Sequence, residues 1–379
     1  MNLALVVEDP SSTKGPDIQA NNLLKALDTH ADHVDTITVV CKRGTSPNYR
    51  SPSIETADIL DAARPVASLR ALLETCRRVD LVHLFAADWR IVLPVLGLSR
   101  TPILLGTSTS FRALPQRLAL RVSKPTAVFS SVTPFEIAIN EMGFRRDRTF
   151  FVPNGIDTDV FTPPTPAEQD ALQRTLRDRH GLTLAAHVAI WVNHLNDHKR
   201  PRLALRAFQQ LKRDRDDVSL LVIGDGPNRP AVEDLVAETP GAHVLGFVDH
   251  EEIHEYYRAA DLNLVTSRSE GISNVIYEGM ACGLPAVTAT AFDQVGTGEY
   301  GRYLPPDASP TAIADGMDAV LERRAELGRD ARAHVVRHHG LETFADRYEQ
   351  LYAWCVGRGP RPALDETWKA DTLTRIQRA

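Results

Sequence analysis

Asp261–Val287 reads DLNLVTSRSEGISNVIYEGMACGLPAV, and this stretch decides the fold. The apolar run Leu262–Thr266 predicts a strand, and Ser267–Gly271 a polar turn. Ser273–Cys282 predicts a helix, closed by Gly283-Leu284-Pro285, with glycine in the usual helix-ending place. The apolar run from Ala286 predicts the next strand. Strand, tight turn, helix and strand make a βαβ unit, whose turn sets a helix start at the carboxyl end of a parallel strand, where α/β proteins bind ligands. Helix starts carry unpaired N–H groups and partial positive charge, which suits an anion such as phosphate. Gly271 permits close approach to the backbone, and Ser273 is expected to cap the helix. Glu270 before the helix and Glu278 within it are acceptors for neutral hydroxyls. A phosphate site between two hydroxyl-binding acids points to a sugar nucleotide.

The rest of the chain fits this unit. Its 379 residues exceed one ordinary core and predict two domains. Apolar residues are 43% and charged residues 24%, as in globular proteins. A net charge of −6 argues against a nucleic-acid partner. The four cysteines, Cys41, Cys76, Cys282 and Cys355, are scattered, which predicts reduced thiols in a cytoplasmic protein and neither a disulfide frame nor a zinc site. Leu3–Val7 reads as a strand, not a signal peptide, and no apolar run is long enough to span a membrane.

In the first half, short apolar runs at Leu3–Val7, Thr36–Val40, Leu81–Phe85, Pro102–Gly106, Ala127–Ser131 and Thr149–Val152 predict a buried parallel sheet. Between the first two, Asp17–Thr29 carries a helical stripe of Ile18, Leu23, Leu24 and Leu27. Pro153–Asp157 and Phe161–Pro164 are dense in proline and glycine and read as a linker. The second half repeats the pattern at His187–Val192, Ser219–Gly224, His243–Phe247, Leu262–Thr266, Ala286–Thr290 and Tyr303–Leu304. The expected fold class is α/β, with two Rossmann-like doubly wound domains facing a cleft. The expected division is residues 1–160, residues 161–342, and C-terminal helices over 343–379.

EGISNVIYEGMACGLPAV closely resembles the E-x7-E signature of the retaining glycosyltransferases of family 4, which have the two-domain GT-B fold. The family's order of elements can be laid on Asn2–Trp354. The resemblance implies an N-terminal acceptor domain, a C-terminal nucleotide-sugar domain, and a helix over Leu341–Val356 that crosses back to the first domain. It implies transfer of a sugar, with a UDP-sugar favoured, to the hydroxyl of a small molecule, glycan or lipid, without cofactor or metal.

Within Asn193–Pro201, Lys199 matches the lysine of the family's G-R-L-x-x-x-K-G motif, whose Arg and Lys grip the donor diphosphate. His194 stands in place of the arginine, Asn193 in place of the first glycine and Arg200 in place of the last. A histidine is only partly charged near neutral pH and cannot fork to two oxygens. The implied catalytic residues are Lys199, Glu270 and His194. The implied donor-binding residues are Glu278 with Gly271, Ile272, Ser273 and Asn274 at the helix start, Gly224 of the Gly224-Asp225-Gly226-Pro227 turn, and Phe247 and Val248 beside the base. Ser11–Pro16, with Lys14 and Gly15, resembles the family's glycine-rich phosphate and acceptor loop. Thr107 and Ser108 stand where many members carry a histidine near the donor sugar. His83 reads as structural. Asp157-Thr158-Asp159 imitates a D-x-D metal motif but falls in the linker turn, and metal binding there is rejected. Arg112, Arg117, Arg121 and Lys124 form a basic stripe that reads as a solvated helix face, or as an amphipathic helix in weak peripheral contact with anionic lipid or with an anionic acceptor. Two further readings stand beside the transferase: a glycoside phosphorylase on the same scaffold, and a nucleotide-sugar-binding protein without catalysis.

Overall fold

The computed structural model describes residues 1–11, 15–61, 63–86, 89–106, 125–270, 273–292 and 300–364. The described chain divides into two compact units, one of Met1–Gly155 with 340–364 and the other of Ile156–His339.

In the first unit seven strands form one sheet: β1 (Asn2–Val7), β2 (Thr36–Lys42), β3 (Ile54–Leu60), β4 (Leu81–Ala86), β5 (Ile103–Leu105), β6 (Thr126–Phe129) and β7 (Thr149–Phe151). Their order is β3-β2-β1-β4-β5-β6-β7, all parallel. Leu3 to Val7 are wholly buried, because helices cover both faces of a central parallel strand. β3 is the strand that the sequence reading passed over. It is an edge strand, IETADIL, whose polar residues meet solvent, so it lacks the continuous apolar run of its neighbours.

The helix Leu341–Cys355 belongs to this unit. Its Phe344, Tyr348, Leu351 and Tyr352 join the core formed by Leu3, Leu5, Leu23, Leu27 and Phe150. Gly155 is required by this packing, since a Cβ there would collide with Cδ1 of the Phe344 ring. Gln19 accepts from the Gly155 N–H at 3.0 Å, and Asn22 donates to the Gly155 carbonyl at 2.8 Å.

The second unit holds β8 (His187–Val192), β9 (Val218–Ile223), β10 (Ala242–Gly246), β11 (Leu262–Val265), β13 (Ala286–Ala289) and β15 (Gly301–Leu304). They lie parallel in the order β10-β9-β8-β11-β13-β15. β12 (Ser269–Glu270) and β14 (Ala291–Phe292) make a separate parallel pair. Both sheets reverse strand order beside their first strand, which is the doubly wound arrangement. The linker motif does structural work: Asp157 Oδ1 accepts from the N–H groups of Asp159 at 3.3 Å and Val160 at 3.4 Å. Among the described residues, no group of three His, Cys, Asp or Glu side chains could hold a metal ion, and no helix is long and apolar enough to cross a membrane.

Candidate active site at the strand ends of the second sheet

The loop after β8 runs from Asn193 to Arg200 and is fastened on both sides. Towards β9, Asn193 N–H donates to Ile223 O, Leu195 N–H to Asp225 O, and Asn228 N–H to Leu195 O. Gly224 is forced by this contact. Its φ is +135°, and a Cβ would collide with the carbonyl oxygen of Asn193. At Gly226 a Cβ would lie 2.6 Å from Leu195 O and 2.9 Å from His194 Cε1. The glycines of the Gly-Asp-Gly-Pro turn thus have a reason independent of any ligand: two βα loops approach backbone to backbone.

Towards β11, Arg268 N–H donates to His198 O at 2.8 Å, and Thr266 Oγ1 lies 3.0 Å from the carbonyls of Lys199 and Arg200. Arg200 precedes the helix Pro201–Leu211 in the left-handed region, at φ 53°. A non-glycine residue there costs about 1–2 kcal/mol. Its side chain offsets that cost. The guanidinium donates to Thr266 O at 2.6 Å, Pro306 O at 2.5 Å, Ser267 O at 3.1 Å and also Ala289 O. The residue standing where the family has glycine therefore ties together the ends of β11, β13 and β15.

This framework brings Lys199 to Glu270. Lys199 Nζ lies 2.7 Å from Glu270 Oε1, with the side chains 21% and 9% exposed. The pair precedes the helix Asn274–Ala281, on whose inner face Glu278 is buried. Ser273 does not cap that helix: it is buried before the first turn, and its side chain accepts no capping hydrogen bond. The helix ends as expected, with Gly283 N–H donating to Met280 O and Leu284 N–H to Gly279 O.

Glu278 has a partner that no motif announced. His250 Nε2 lies 2.9 Å from Glu278 Oε1. Burial alone would lower the histidine's pKa, but the hydrogen bond and charge of Glu278 outweigh it and raise the value above the ordinary one. Just before His250, Phe247 projects with 60% of its surface exposed, and Val248 is half-buried. Arg229 lies beside Gly246 and pairs with Asp225 at 3.0 Å and Glu233 at 2.8 Å. His194 sits exposed against Gly226.

Lys199, Glu270 of β12, Gly224 and Glu278 are thus all on the segments that leave the carboxyl edge of one sheet, with Ser273 and Asn274 at the start of the Glu278 helix and Phe247 and Val248 just beyond β10. Gly271, Ile272, Lys14, Thr107, Ser108 and the basic stripe of 112–124 lie outside the described residues. Gly15 opens the helix Gly15–His30 of the first unit.

Residues 186–323 match the family model described as "Glycosyl transferases group 1". They form a group 1 glycosyltransferase domain. The resemblance read from the E-x7-E stretch holds over this part of the chain. A D-inositol 3-phosphate glycosyltransferase of Xylanimonas cellulosilytica is 34% identical over 230 residues, 56% of this chain and 53% of that protein. The chain spans about half the length of the first such curated relatives it matches. Among solved structures, Anabaena HepE in complex with UDP matches with a TM-score of 0.71 at 17% identity, over 92% of this chain and 98% of that one. The sucrose-phosphate synthase of Thermosynechococcus elongatus matches with 0.71 at 20%, over 94% and 99%. At these identities the likeness is one of fold, and the glycosyltransferase domain sits in a chain of GT-B class with two Rossmann-like parallel-sheet units.

Proposed function

We propose that this chain transfers a sugar from a nucleotide diphosphate sugar, with a UDP-sugar favoured, to an acceptor hydroxyl with retention of configuration. One observation carries the reading: the Lys199 ammonium, held at 2.7 Å by Glu270, stands just before a helix start that receives no side-chain cap from Ser273. In the absence of donor the lysine and glutamate neutralise each other. A diphosphate arriving at the helix start takes the ammonium as counter-charge and frees Glu270 to accept from sugar hydroxyls. As the bond from the sugar's anomeric carbon to the β-phosphate oxygen breaks, negative charge grows on that oxygen, where Lys199 and the helix N–H groups stabilise it. The acceptor oxygen bonds to the anomeric carbon, and its proton passes to the departing phosphate oxygen. Glu278 accepts from ribose hydroxyls, and Phe247 offers an exposed ring to the base. His194 stands exposed at the loop rim, against Gly226. In this scheme the diphosphate charge is met by Lys199 and main-chain dipoles.

The acceptor, a small molecule, glycan or lipid, would be chosen by the first unit, where Gly15 opens the first helix. Cytoplasmic residence fits the four free cysteines. A thermal-shift panel of UDP-, GDP-, ADP- and dTDP-sugars tests the donor, since a ligand raises apparent stability by mass action. One nucleotide family is expected to raise the melting temperature by a few degrees, and Lys199→Ala to abolish the rise. No shift with any of them at millimolar concentration would overturn the reading. A bound donor that is neither transferred to any acceptor nor slowly hydrolysed would favour the non-catalytic binder.

A further inference from the structure

Glu278 lies on the inner face of its helix, with a side chain only 7% exposed. A carboxylate so placed must find hydrogen-bond donors or pay for its desolvation. His250 supplies one from a different element, the segment between β10 and the helix Ile253–Ala259. Nε2 donates to Oε1, because a carboxylate only accepts. The imidazole is itself confined, with the ring of Phe161 centred 5.7 Å away. Glu251 adds negative charge on the histidine's own segment. Tyr257 faces Glu278 from the helix Ile253–Ala259 and Cys282 from the end of Glu278's own helix, and Arg258 and Arg332 face Cys282. Of the described groups around the carboxylate, His250 is the donor whose removal leaves the main-chain framework intact, since it lies in a loop and its ring packs against Phe161.

We propose that His250 is a positioning residue for Glu278: by holding Oε1 it fixes the direction in which the remaining acceptor lone pairs meet the 2′- and 3′-hydroxyls of a nucleotide, and so sets the site's preference for ribose over deoxyribose. The inference rests on the reading of Glu278 as the ribose acceptor. The Nε2–H is present in both the neutral tautomer that donates here and the imidazolium, so the hydrogen bond persists while the charge changes. A glutamine can offer an N–H at similar reach without titrating. An alanine cannot.

Calorimetric titration of the full chain with UDP, GDP and ADP, and with the 2′,3′-dideoxy form of each, tests this. The tightest wild-type ligand is expected to bind better than its dideoxy form, and Glu278→Gln should narrow that gap. His250→Ala is expected to weaken the ribonucleotide about tenfold and the dideoxynucleotide hardly at all. His250→Gln is expected to restore most of the difference. Equal weakening of both ligands by His250→Ala, or an unchanged ratio, would overturn the positioning role while leaving the site reading intact. If wild type binds none of the three, or binds ribo and dideoxy forms alike and Glu278→Gln changes nothing, the ribose reading of Glu278 fails first and takes the inference with it. Ligand-free melting temperatures of the variants show whether each has folded.

Discussion

β4 of the first sheet and β11 of the second occupy the same slot, directly beside the first strand of their unit. Each carries one wholly buried polar side chain there. In β4 it is His83, whose Nδ1 lies 2.8 Å from the Tyr352 hydroxyl, with Phe85 and Tyr348 around the ring. In β11 it is Asn263, whose Nδ2 donates at 2.8 Å to Val275 O in the first turn of the following helix. The first contact seals the C-terminal helix against the sheet. The second anchors the helix that carries Glu278, so tightly that a Cβ on Gly279 would lie 2.6 Å from Asn263 Nδ2. One slot serves closure of a core in one unit and placement of a site in the other.

If that division is right, the largest losses of activity belong to the second unit. Lys199→Ala and Glu270→Gln are each expected to lower sugar transfer by roughly 10²–10³-fold, the scale of losing one group aimed at developing charge. Circular dichroism should be unchanged. Transfer within tenfold of wild type in either variant would break the assignment of roles.

The glycines extend the contrast. Gly224→Ala must move the backbone of Asn193 and hold alanine at φ +135°, and is expected to destabilise by about 3 kcal/mol or more in denaturant unfolding. Gly15 opens a helix with nothing among the described residues within 4 Å of a Cβ. Gly15→Ala is expected to leave stability within about 1 kcal/mol of wild type. If it lowers transfer all the same, that glycine serves a ligand and not the fold.

How far the sequence could be read follows from the same contacts. Buried parallel strands were legible because both faces need apolar residues, while the edge strand β3, with Glu55 and Asp58, was not. Glu270 and Glu278 stood out beside a predicted helix start and Lys199 through the family resemblance, but neither reading pairs Lys199 with Glu270. Arg200 read as a missing glycine, and only its bonds to the strand-end carbonyls show what replaced it. Gly224 read as room for a ligand, whereas a neighbouring loop already fills that room. His250 carried no signal at all, since its partner is brought to it by the order of β10, β9, β8 and β11, and not by the chain.

A smaller effect sharpens the opening comparison directly. His83→Leu leaves the Tyr352 hydroxyl without its partner and is expected to cost about 1–3 kcal/mol of stability, with donor affinity unchanged. Asn263→Ala removes the side-chain donor to Val275 O at a similar cost, but it also loosens the helix of Glu278. Its donor affinity is expected to fall as well. Equal affinity losses in the two variants would erase the distinction between the two slots.

The smallest effects are in pH, and the two histidines give them opposite signs. Burial pushes the His83 pKa down to about 3, so below pH 6.5 the unfolded chain takes a proton that the folded chain refuses. Stability from this group is lost as pH falls from about 6.5 towards 3, by at most about 1.4 kcal/mol per unit. For His250 burial acts downward as well, yet the Glu278 hydrogen bond and charge carry the value upward. Its contribution is full below about pH 6.5 and disappears as pH rises through the folded value. Unfolding curves between pH 4 and 9 should therefore show His83→Leu flattening the acid limb and His250→Gln flattening the limb above neutrality, the latter by less than about 1 kcal/mol. Burial lowers both rings, completely so for His83 and less so for His250, whose side chain is 28% exposed, and the partner is a phenol in one unit and a carboxylate in the other. If His250→Gln left the upper limb unchanged while His83→Leu altered the lower, the carboxylate would not be holding the charge that the geometry assigns to it.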